Sequence, residues 1–266
     1  GNVFNDVQGA VAILMSYLGD QTGVYRAMDK LGSSSVSAIA KEAKVDERYL
    51  QEWLASNAAR GYVNFNAETE EFSLSPEQAA VFARENEPTC IQGLMQGVVG
   101  QFIKEDVAID VFKTGRGRPW GEHHECCFCG TERFFRPAYA SHLLEEWIPA
   151  LEGTEDKLRM GAKVADIGCG LGTSSMLMAE QYPNSTIHAF DFHGPSIDEA
   201  KKRAEEKGLT NLEFFVSDAA DIPKNGYDLA CIFDAWHDMG DPVGIASGIK
   251  DVLAEDGTFM VVEPMA

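Results

Sequence analysis

The stretch KVADIGCGLGTSSMLMAEQYP, residues 163–183, decides the fold of this chain. It begins as a buried strand, breaks at Gly168, Gly170 and Gly172, and resumes as a helix. Glycine lets the backbone turn tightly and approach a ligand without a Cβ atom in the way. A dinucleotide fingerprint, G-x-G-x-x-G, would require glycine at position 173, where this chain has Thr173. The stretch therefore predicts a strand–turn–helix ligand site that departs from the dinucleotide pattern.

Apolar strands alternate with amphipathic helices from residue 163 onward. Strands are predicted over 163–168, 186–192, 212–218, 227–238 and 258–264, and helices over 173–183, 195–208 and 242–257. Such alternation is typical of an α/β fold with a mostly parallel sheet and helices on both faces. Ligands of these sheets bind at the carboxyl ends of the strands.

Aspartates stand at that edge of the predicted sheet. Asp166 precedes the glycine turn, Asp191 ends the second strand, and Asp218 ends the third. A carboxylate at such a position accepts ribose hydroxyls in dinucleotide sites, and one near the turn suits a cationic ligand. Each aspartate taken singly is equally explained as a cap of a strand-to-helix loop. Their occurrence at consecutive strand ends favours a ligand site.

The pattern D-x-G-x-G-x-G from Asp166 to Gly172, with Asp191 and Asp218, resembles the motifs of class I S-adenosylmethionine (SAM) methyltransferases. The resemblance covers residues 163–264 and implies a Rossmann-like domain with SAM as cofactor and S-adenosylhomocysteine (SAH) as product. It implies that Asp191 accepts both ribose hydroxyls, that Asp218 contacts the adenine amino group, and that Asp166 serves the charged ligand directly or through water. The residues that it assigns to the cofactor are Asp166, Gly168, Cys169, Gly170, Gly172, Asp191, Phe192, Asp218, Ala219 and Phe233.

The N-terminal third reads as a mainly α-helical winged-helix domain, predicted over residues 1–90. Val7, Val11, Leu14 and Leu18 predict an amphipathic helix that ends at Gly19; helix, turn, helix and two short strands around residues 66–71 follow. Such a unit either reads DNA or serves packing and dimerisation. The helix from Asp46 to about Ala59 and the wing are acidic, which favours packing or dimerisation.

Residues 91–150 are predicted to be a helical linker and substrate-lid region. Residues 77–113 look helical and combine small with large apolar residues, which suits close helix packing, whereas 114–130 break periodicity and predict a loop. A helix starts or breaks at Pro137. That loop contains five potential zinc ligands, namely His123, His124, Cys126, Cys127 and Cys129. Their spacing is poor for a structural zinc site, so no metal is assigned, although a metal there stays open.

The winged helix widens the resemblance to a bacterial family of small-molecule methyltransferases, similar in architecture to plant-type O-methyltransferases. In the segment FDAWHDMGDP this resemblance implies a His-Asp pair, with His237 as candidate general base and Asp238 beside it. Glu263 completes the candidate catalytic set, because an acid at that place flanks the histidine. Neutral imidazole suits the removal of a hydroxyl proton near pH 7. His237 is alternatively a hydrogen-bonded helix cap, and Glu263 an exposed loop carboxylate.

Four large side chains are candidate walls of an acceptor pocket, although core packing explains each equally well. They are Phe134, Phe135, Trp236 and Met239. The resemblance also implies a homodimer through residues 1–110. The catalytic domain is predicted over 151–266, and further strands that would close its sheet are expected beyond residue 266, because an apolar strand left at an edge invites aggregation.

The charge composition limits the kinds of binding partner that are expected. The 266 residues carry 42 acidic and 22 basic side chains, a formal net charge of −20, so the field repels nucleic acid and anionic membranes. A cytoplasmic location is expected because no signal or long apolar run is evident, and the six cysteines are expected to be reduced. The leading hypothesis is an enzyme that methylates a hydroxyl of a small molecule. The alternatives are a winged-helix transcriptional regulator that senses SAM or a related ligand, and a protein methyltransferase.

Overall fold

The chain forms two compact units, residues 1–137 and 138–266, in a computed structural model that describes residues 1–264. The last two residues of the predicted domain 151–266 thus lie outside the described part. In the described residues no helix has both the length and the apolar character that crossing a bilayer requires.

The first unit is mainly helical and contains the predicted winged helix. Its helices α3 and α4 are the helix-turn-helix pair, and its antiparallel strands β1 and β2 are the wing. The side chain of Asp46 accepts a hydrogen bond from the Tyr49 N–H and so caps α4. The elements are α1 (Asn2–Gln21), α2 (Val24–Leu31), α3 (Val36–Ala43), α4 (Glu47–Ala59), β1 (Asn64–Asn66), β2 (Glu71–Ser73), α5 (Pro76–Phe82), α6 (Gln92–Ile103), α7 (Glu105–Thr114), a 3-10 helix (Trp120–Glu122) and α8 (Glu125–Ala138).

The second unit is the α/β fold that the sequence predicted, with a five-stranded sheet. Its elements are a π-helix (Tyr139–Trp147), α9 (Thr154–Met160), β3 (Lys163–Ile167), α10 (Thr173–Gln181), β4 (Thr186–Asp191), α11 (Gly194–Glu206), β5 (Leu212–Val216), a 3-10 helix (Ala219–Asp221), β6 (Tyr227–Phe233), a 3-10 helix (Trp236–Asp238), α12 (Pro242–Val252) and β7 (Leu253–Val262). The strand order is β5-β4-β3-β6-β7, and every neighbouring pair is parallel.

The strand order indicates which edge of the sheet is suited to bind a ligand. The chain winds outward in one direction from β3 through β4 to β5, and then in the other direction through β6 to β7. The carboxyl ends of β3, β4 and β6 therefore meet at the switch point, where open α/β sheets bind ligands. The glycine turn follows β3 directly.

Both faces of this sheet are covered, because neighbouring residues of β3 pack in different core clusters. Val164 packs in one core cluster with Tyr182 and Ile187, whereas Ala165 and Ile167 belong to a second cluster on the other face. Neighbouring residues of a strand point to opposite faces, so a run that is buried throughout indicates a sheet covered on both sides.

The glycines of α6 serve close helix packing, as the sequence predicted. A Cβ atom at Gly93 would lie 2.5 Å from the Gly130 carbonyl oxygen, and one at Gly100 would lie 2.7 Å from the Cys127 Sγ. Helices approach this closely only where side chains are absent or small. The loop predicted over 114–130 is accordingly wrong for residues 125–130, which form the first turns of α8 and lie against this face.

Further boundaries differ from the sequence-based expectations. The strand predicted over 227–238 ends at Phe233, and Trp236–Asp238 form a 3-10 helix. Gly19 lies inside α1, which ends at Gln21; glycine is required there because the Trp53 ring occupies the space that a side chain would fill. Pro137 lies inside α8, and the helix continues beyond it with π-helical spacing; proline lacks a backbone donor, so the regular α pattern changes there. The helix predicted to reach residue 257 ends at Val252, and β7 begins at Leu253 with a register shift opposite Tyr227.

Arg133 lies at the centre of a largely buried charge network in the first unit. Its guanidinium donates to the Asp20 carboxylate at 2.9 and 3.1 Å and to the Glu85 Oε1 at 2.7 Å. Burial raises the pKa of Glu85, but the hydrogen bond and charge of Arg133 and the charge of Arg136 outweigh it and hold that pKa below its usual value. Asp20 is only 4% exposed, so it depends on Arg133 for compensation of its charge.

We expect Arg133→Met to lower the free energy of unfolding by about 3–5 kcal/mol, because it leaves a buried carboxylate without its main partner. The matched control is Arg26→Met, which removes the other cation beside Asp20 at 3.2 Å. Arg26 is 52% exposed, so this variant should lose less than about 1 kcal/mol. Urea denaturation measures both, and equal losses would contradict the argument.

Candidate active site

The glycine turn runs from the end of β3 to the start of α10. Gly168, Gly170 and Gly172 all adopt positive φ angles, 74°, 53° and 77°, which side chains with a Cβ atom rarely tolerate. The N–H groups of Gly168 and Cys169 donate to the Phe190 carbonyl oxygen at 2.8 and 3.0 Å. The turn is thereby fixed to the neighbouring strand β4.

Two of these glycines are also required by close contacts, whereas the third faces open space. A Cβ atom at Gly172 would lie 2.7 Å from the Phe214 ring, and one at Gly168 would lie 2.8 Å from the Ala235 Cβ. Nothing lies within 4 Å of the position of a Cβ atom at Gly170. The turn thus packs against the segment that follows β6 and leaves free space above Gly170.

Asp191, at the end of β4, is hydrogen-bonded to the glycine turn. Its Oδ2 accepts a hydrogen bond from the Gly170 N–H at 2.9 Å, and its Oδ1 accepts one from the His193 N–H at 2.8 Å. An ionised carboxylate has about four acceptor sites, so each oxygen keeps capacity for a further donor. Asp191 therefore holds the turn and keeps acceptor capacity beyond these two hydrogen bonds.

Asp166 is fully buried beneath the turn. Its Oδ2 accepts hydrogen bonds from the hydroxyls of Ser174 and Ser175 at 2.7 and 2.5 Å, while its Oδ1 is buried without a partner in the described residues. Burial raises the pKa of Asp166 to about 6, against the two serine hydrogen bonds, and the charge of Asp191 adds to the increase. The fold thus tolerates a carboxylate at a place where ionisation is unfavourable.

The raised pKa of Asp166 predicts a pH-dependent stability. A carboxyl whose pKa is higher in the folded than in the unfolded state stabilises the fold at low pH, and this contribution is lost as pH rises through the folded pKa, here about 6. Asp166→Asn cannot ionise. Its stability relative to the unmodified protein should therefore increase by about 1.4 kcal/mol between about pH 5 and about pH 7.

The control for that prediction is Asp198→Asn, because Asp198 is exposed on α11. Denaturant titrations of all three proteins without ligand, at several pH values, measure the differences. A stability difference for Asp166→Asn that stays constant with pH would contradict a raised pKa.

The remaining residues assigned to the cofactor fall into two groups. Asp218 is exposed, and its Oδ1 accepts a hydrogen bond from the Ala220 N–H at 2.9 Å, so it caps the 3-10 helix that contains Ala219. Phe192 is 54% exposed beside Asp191. Cys169 and Phe233 are buried in the core on one face of the sheet. The exposed members lie near strand ends, whereas the buried ones belong to the core.

His237 and Glu263 are brought together by the ends of β6 and β7. The Nδ1 of His237 lies 2.6 Å from the Glu263 Oε2, while Nε2 lies 3.6 Å from the Asp238 Oδ1. The Glu263 Oε1 accepts hydrogen bonds from the N–H groups of Ala235 and Trp236 at 3.1 and 2.7 Å. Glu263 is thus held by the backbone of the segment that carries His237. The hydrogen bond to Glu263 raises the pKa of His237, and the charge of Asp238 adds to this although burial opposes it.

Asp234 is a member of this group that the sequence reasoning missed. Its φ angle is 50°, and burial, with the charges of Glu263 and Asp238, raises its pKa to about 6 although His237 opposes the increase. The signal was present, because Asp234 directly follows the buried strand β6 as Asp191 ends β4.

The candidate pocket residues have packing contacts inside their own units. The Trp236 Nε1 donates to the Pro242 carbonyl oxygen at 3.1 Å, and Trp236 and Met239 both pack against the core. Phe134 and Phe135 are in edge-to-face contact at 5.0 Å. Phe134 also lines a cleft of about 210 Å³ between α6 and α8. These contacts are compatible with core packing, which the sequence had left open for all four.

The donors of the segment 123–129 are distributed around the start of α8. Cys126 lies 3.5 Å from the Tyr17 hydroxyl, Cys127 is buried against α6, and Cys129 is exposed. Among residues 1–264, a group of three donors close enough for a metal ion is found at Asp234, His237 and Glu263.

Known families match both units. Residues 158–266 match the family model described as "Methyltransferase domain", and residues 9–84 match the model described as "Rv2258c-like winged HTH domain". The second unit contains a methyltransferase domain. The winged helix-turn-helix precedes it, as the sequence predicted.

Individual curated relatives are methyltransferases by their names and match 31–40% of this chain. The tRNA (guanine-N(7)-)-methyltransferase of Hydrogenovibrio crunogenus is 35% identical over 98 residues, which is 31% of this chain and 41% of that protein. The aklanonic acid methyltransferase DauC of a Streptomyces species is 32% identical over 108 residues, 40% of this chain and 49% of that protein. The chain thus spans about half the length of the curated relatives that it matches.

Among solved structures, the mitomycin 7-O-methyltransferase MmcR superposes with a TM-score of 0.72 at 16% identity, covering 100% of this chain and 80% of that one. At such low identity the similarity shows the fold alone. A solved structure therefore contains folds similar to those of both units.

Proposed function

We propose that this protein is a SAM-dependent methyltransferase that transfers a methyl group to a hydroxyl of a small-molecule acceptor, with His237 as general base. The observation that carries the proposal is the 2.6 Å contact between His237 Nδ1 and Glu263 Oε2, on a segment that packs against the glycine turn at Gly168. The site for a cofactor and the candidate base are thereby adjacent at one edge of the sheet.

The residues present fit SAM. Gly170 leaves room above the turn, and the oxygens of Asp191 keep acceptor capacity for two ribose hydroxyls. The carboxylate of Asp166, buried beneath the turn with its Oδ1 unpartnered in the described residues, places negative charge close to the positive charges of the ligand. Asp218 would contact the adenine amino group with the acceptor capacity that capping leaves.

When bound, SAM supplies an electrophilic methyl group on a sulfonium, with SAH as the product. The protein's task is then to hold a hydroxyl in line with that methyl group and to take its proton. Holding the reactants in line contributes the larger part of the rate enhancement, and a positioned base adds roughly a hundred- to ten-thousandfold.

Glu263 acts on this proton transfer through His237 as a positioning residue. With the Nδ1–H donating to Glu263, the Nε2 of His237 carries a free lone pair and accepts the hydroxyl proton. The carboxylate then stabilises the imidazolium that forms. The backbone hydrogen bonds to the Glu263 Oε1 keep its other oxygen aimed at the histidine.

A small-molecule acceptor is supported by charge and by fold. The net charge of −20 disfavours nucleic acid, even though one relative acts on tRNA by its name. Structures with the same fold include MmcR, an O-methyltransferase by its name.

The test is a transfer assay with methyl-labelled SAM and a panel of hydroxylated aromatic and aliphatic compounds, each paired with its amine analogue. We expect label in at least one hydroxyl compound and less in its amine partner, because His237 is arranged to remove a hydroxyl proton. Label only in the amines, or in none of the compounds although SAM binds, would contradict the proposal.

We also propose that the protein is a homodimer through its N-terminal helices. A stripe of apolar side chains at helical spacing lies exposed along α1; it comprises Val3, Phe4, Val7, Val11, Leu14 and Leu18, each at least 43% exposed. An exposed apolar stripe of this length is typical of a protein interface. A second copy of the same helix matches it in chemistry and length.

We expect the unmodified protein to sediment as a dimer and Leu14→Glu to sediment as a monomer, because a charge is placed in the middle of the apolar stripe. The matched control is Val243→Glu, since Val243 is 76% exposed on α12, outside the stripe. Analytical ultracentrifugation distinguishes these outcomes. A monomeric unmodified protein would refute the dimer.

A further inference from the structure

We propose that Asp234, His237 and Glu263 bind a divalent transition-metal ion. One carboxylate oxygen of each acid and one ring nitrogen of His237 lie within 4.8 Å of one another. The three side chains come from the end of β6, from the 3-10 helix after it, and from the residue after β7. Asp234 has no part in the function proposed above, so the group is more than the candidate base and its positioning residue.

The backbone fixes two of the three ligands. Hydrogen bonds from the N–H groups of Ala235 and Trp236 hold the Glu263 Oε1, which directs Oε2 into the group. The Asp234 N–H donates to the Val262 carbonyl oxygen at 2.8 Å and so ties the ends of the two strands together. Ligands held in place before an ion arrives lose little freedom when it binds.

The donor chemistry and the charge both suit a metal ion. Two carboxylate oxygens with one imidazole nitrogen form a set that takes Zn²⁺, Mn²⁺ or Fe²⁺, and three protein ligands leave positions open for water or an oxygen of the acceptor. Three carboxylates, Asp234, Asp238 and Glu263, surround His237. In residues 1–264 no hydrogen bond engages the Asp234 carboxylate, so its oxygens remain available to an ion.

Metal binding excludes the general-base form of His237. In the absence of a metal, the Nδ1–H of His237 donates a hydrogen bond to the Glu263 Oε2, with 2.6 Å between nitrogen and oxygen, and Nε2 is free to accept a proton. An ion bound to Nδ1 moves that hydrogen to Nε2, which then accepts no proton. Bonds of about 2.0–2.2 Å to both ligands, at octahedral or tetrahedral angles, require the nitrogen and oxygen to separate by roughly 0.2–1 Å. The ion therefore blocks methyl transfer reversibly; this consequence rests on the proposed function, whereas binding itself does not.

The test is a titration of the full chain with Mn²⁺, in which the electron paramagnetic resonance signal of the free ion is followed. Mn²⁺ prefers oxygen and nitrogen to thiolates, so the six cysteines do not obscure the result. We expect one Mn²⁺ per chain, at least about tenfold weaker binding for Asp234→Asn, and at most about twofold weaker binding for the control Asp238→Asn, because Asp238 supplies charge beside the site but no ligand atom. Asparagine tolerates the positive φ angle at position 234, so the variant should fold, and circular dichroism checks that it does.

Absence of saturable binding, or equal weakening in the two variants, would overturn the metal site. A SAM titration in the presence of a chelator separates this failure from that of the proposed function. Binding of SAM without binding of Mn²⁺ overturns the metal site alone. Binding of Mn²⁺ without binding of SAM supports the metal site and overturns the proposed function.

Discussion

Asp191→Ala should weaken SAM binding by at least about a hundredfold, since two hydrogen bonds to a charged carboxylate contribute about 1.5–3 kcal/mol each. The same substitution removes the acceptors of the Gly170 and His193 N–H groups. The variant therefore loses the hydrogen bonds that hold the turn as well as the acceptor for the ribose hydroxyls. Competition with labelled SAM measures the affinity of the variant.

The control for Asp191→Ala is Asp198→Ala. Both carboxylates belong to the same strand-to-helix region, but Asp198 is exposed on α11 and makes no hydrogen bond to the turn among the described residues. We expect the control to bind SAM as the unmodified protein does. If both variants retained full affinity, Asp191 would not be a cofactor ligand.

His237→Gln should lower kcat by roughly a hundred- to ten-thousandfold and leave SAM affinity unchanged, because the substitution removes a base and no cofactor contact. The measurement uses an acceptor found in the hydroxyl panel, with SAM at saturation. His142→Gln is the control, since His142 lies on the π-helix and outside the group formed with Glu263. Full turnover of His237→Gln at neutral pH would refute the general-base role.

The pH profile distinguishes the two members of the pair. The hydrogen bond to Glu263 raises the pKa of His237. Below that pKa the imidazole is protonated and accepts no proton, so the rate should increase with pH as His237 loses its charge. Glu263→Gln lowers the pKa of His237, so the increase should occur at lower pH and kcat should also fall. A profile that keeps its midpoint would mean that Glu263 has only a structural role.

The sequence predicted the glycine turn and the strand ends beside it because their pattern is local. A strand, three glycines and a helix are adjacent in the chain, and the parallel sheet brings the ends of consecutive strands to one edge. The contact between Glu263 and His237 spans 26 residues. It was expected from resemblance alone, and its geometry depends on the pairing of β6 with β7.

Other features needed the folded chain. The hydrogen bond between the Asp191 carboxylate and the Gly170 N–H involves a backbone group, so the sequence of side chains does not predict it. The start of α8 was missed because its cysteines and glycine resemble a loop in sequence, while the close face of α6 makes a helix stable there. The apolar stripe of α1 was predicted as an amphipathic face; only the structure shows that it stays exposed within the chain.

The most direct test of the account is isothermal titration of the unmodified full chain with SAM, SAH and the dinucleotide NAD. The account predicts one site per chain for SAM and for SAH, and no binding of NAD, because Thr173 replaces the glycine that a dinucleotide fingerprint requires. Absence of SAM binding, or NAD binding of comparable strength, would contradict it.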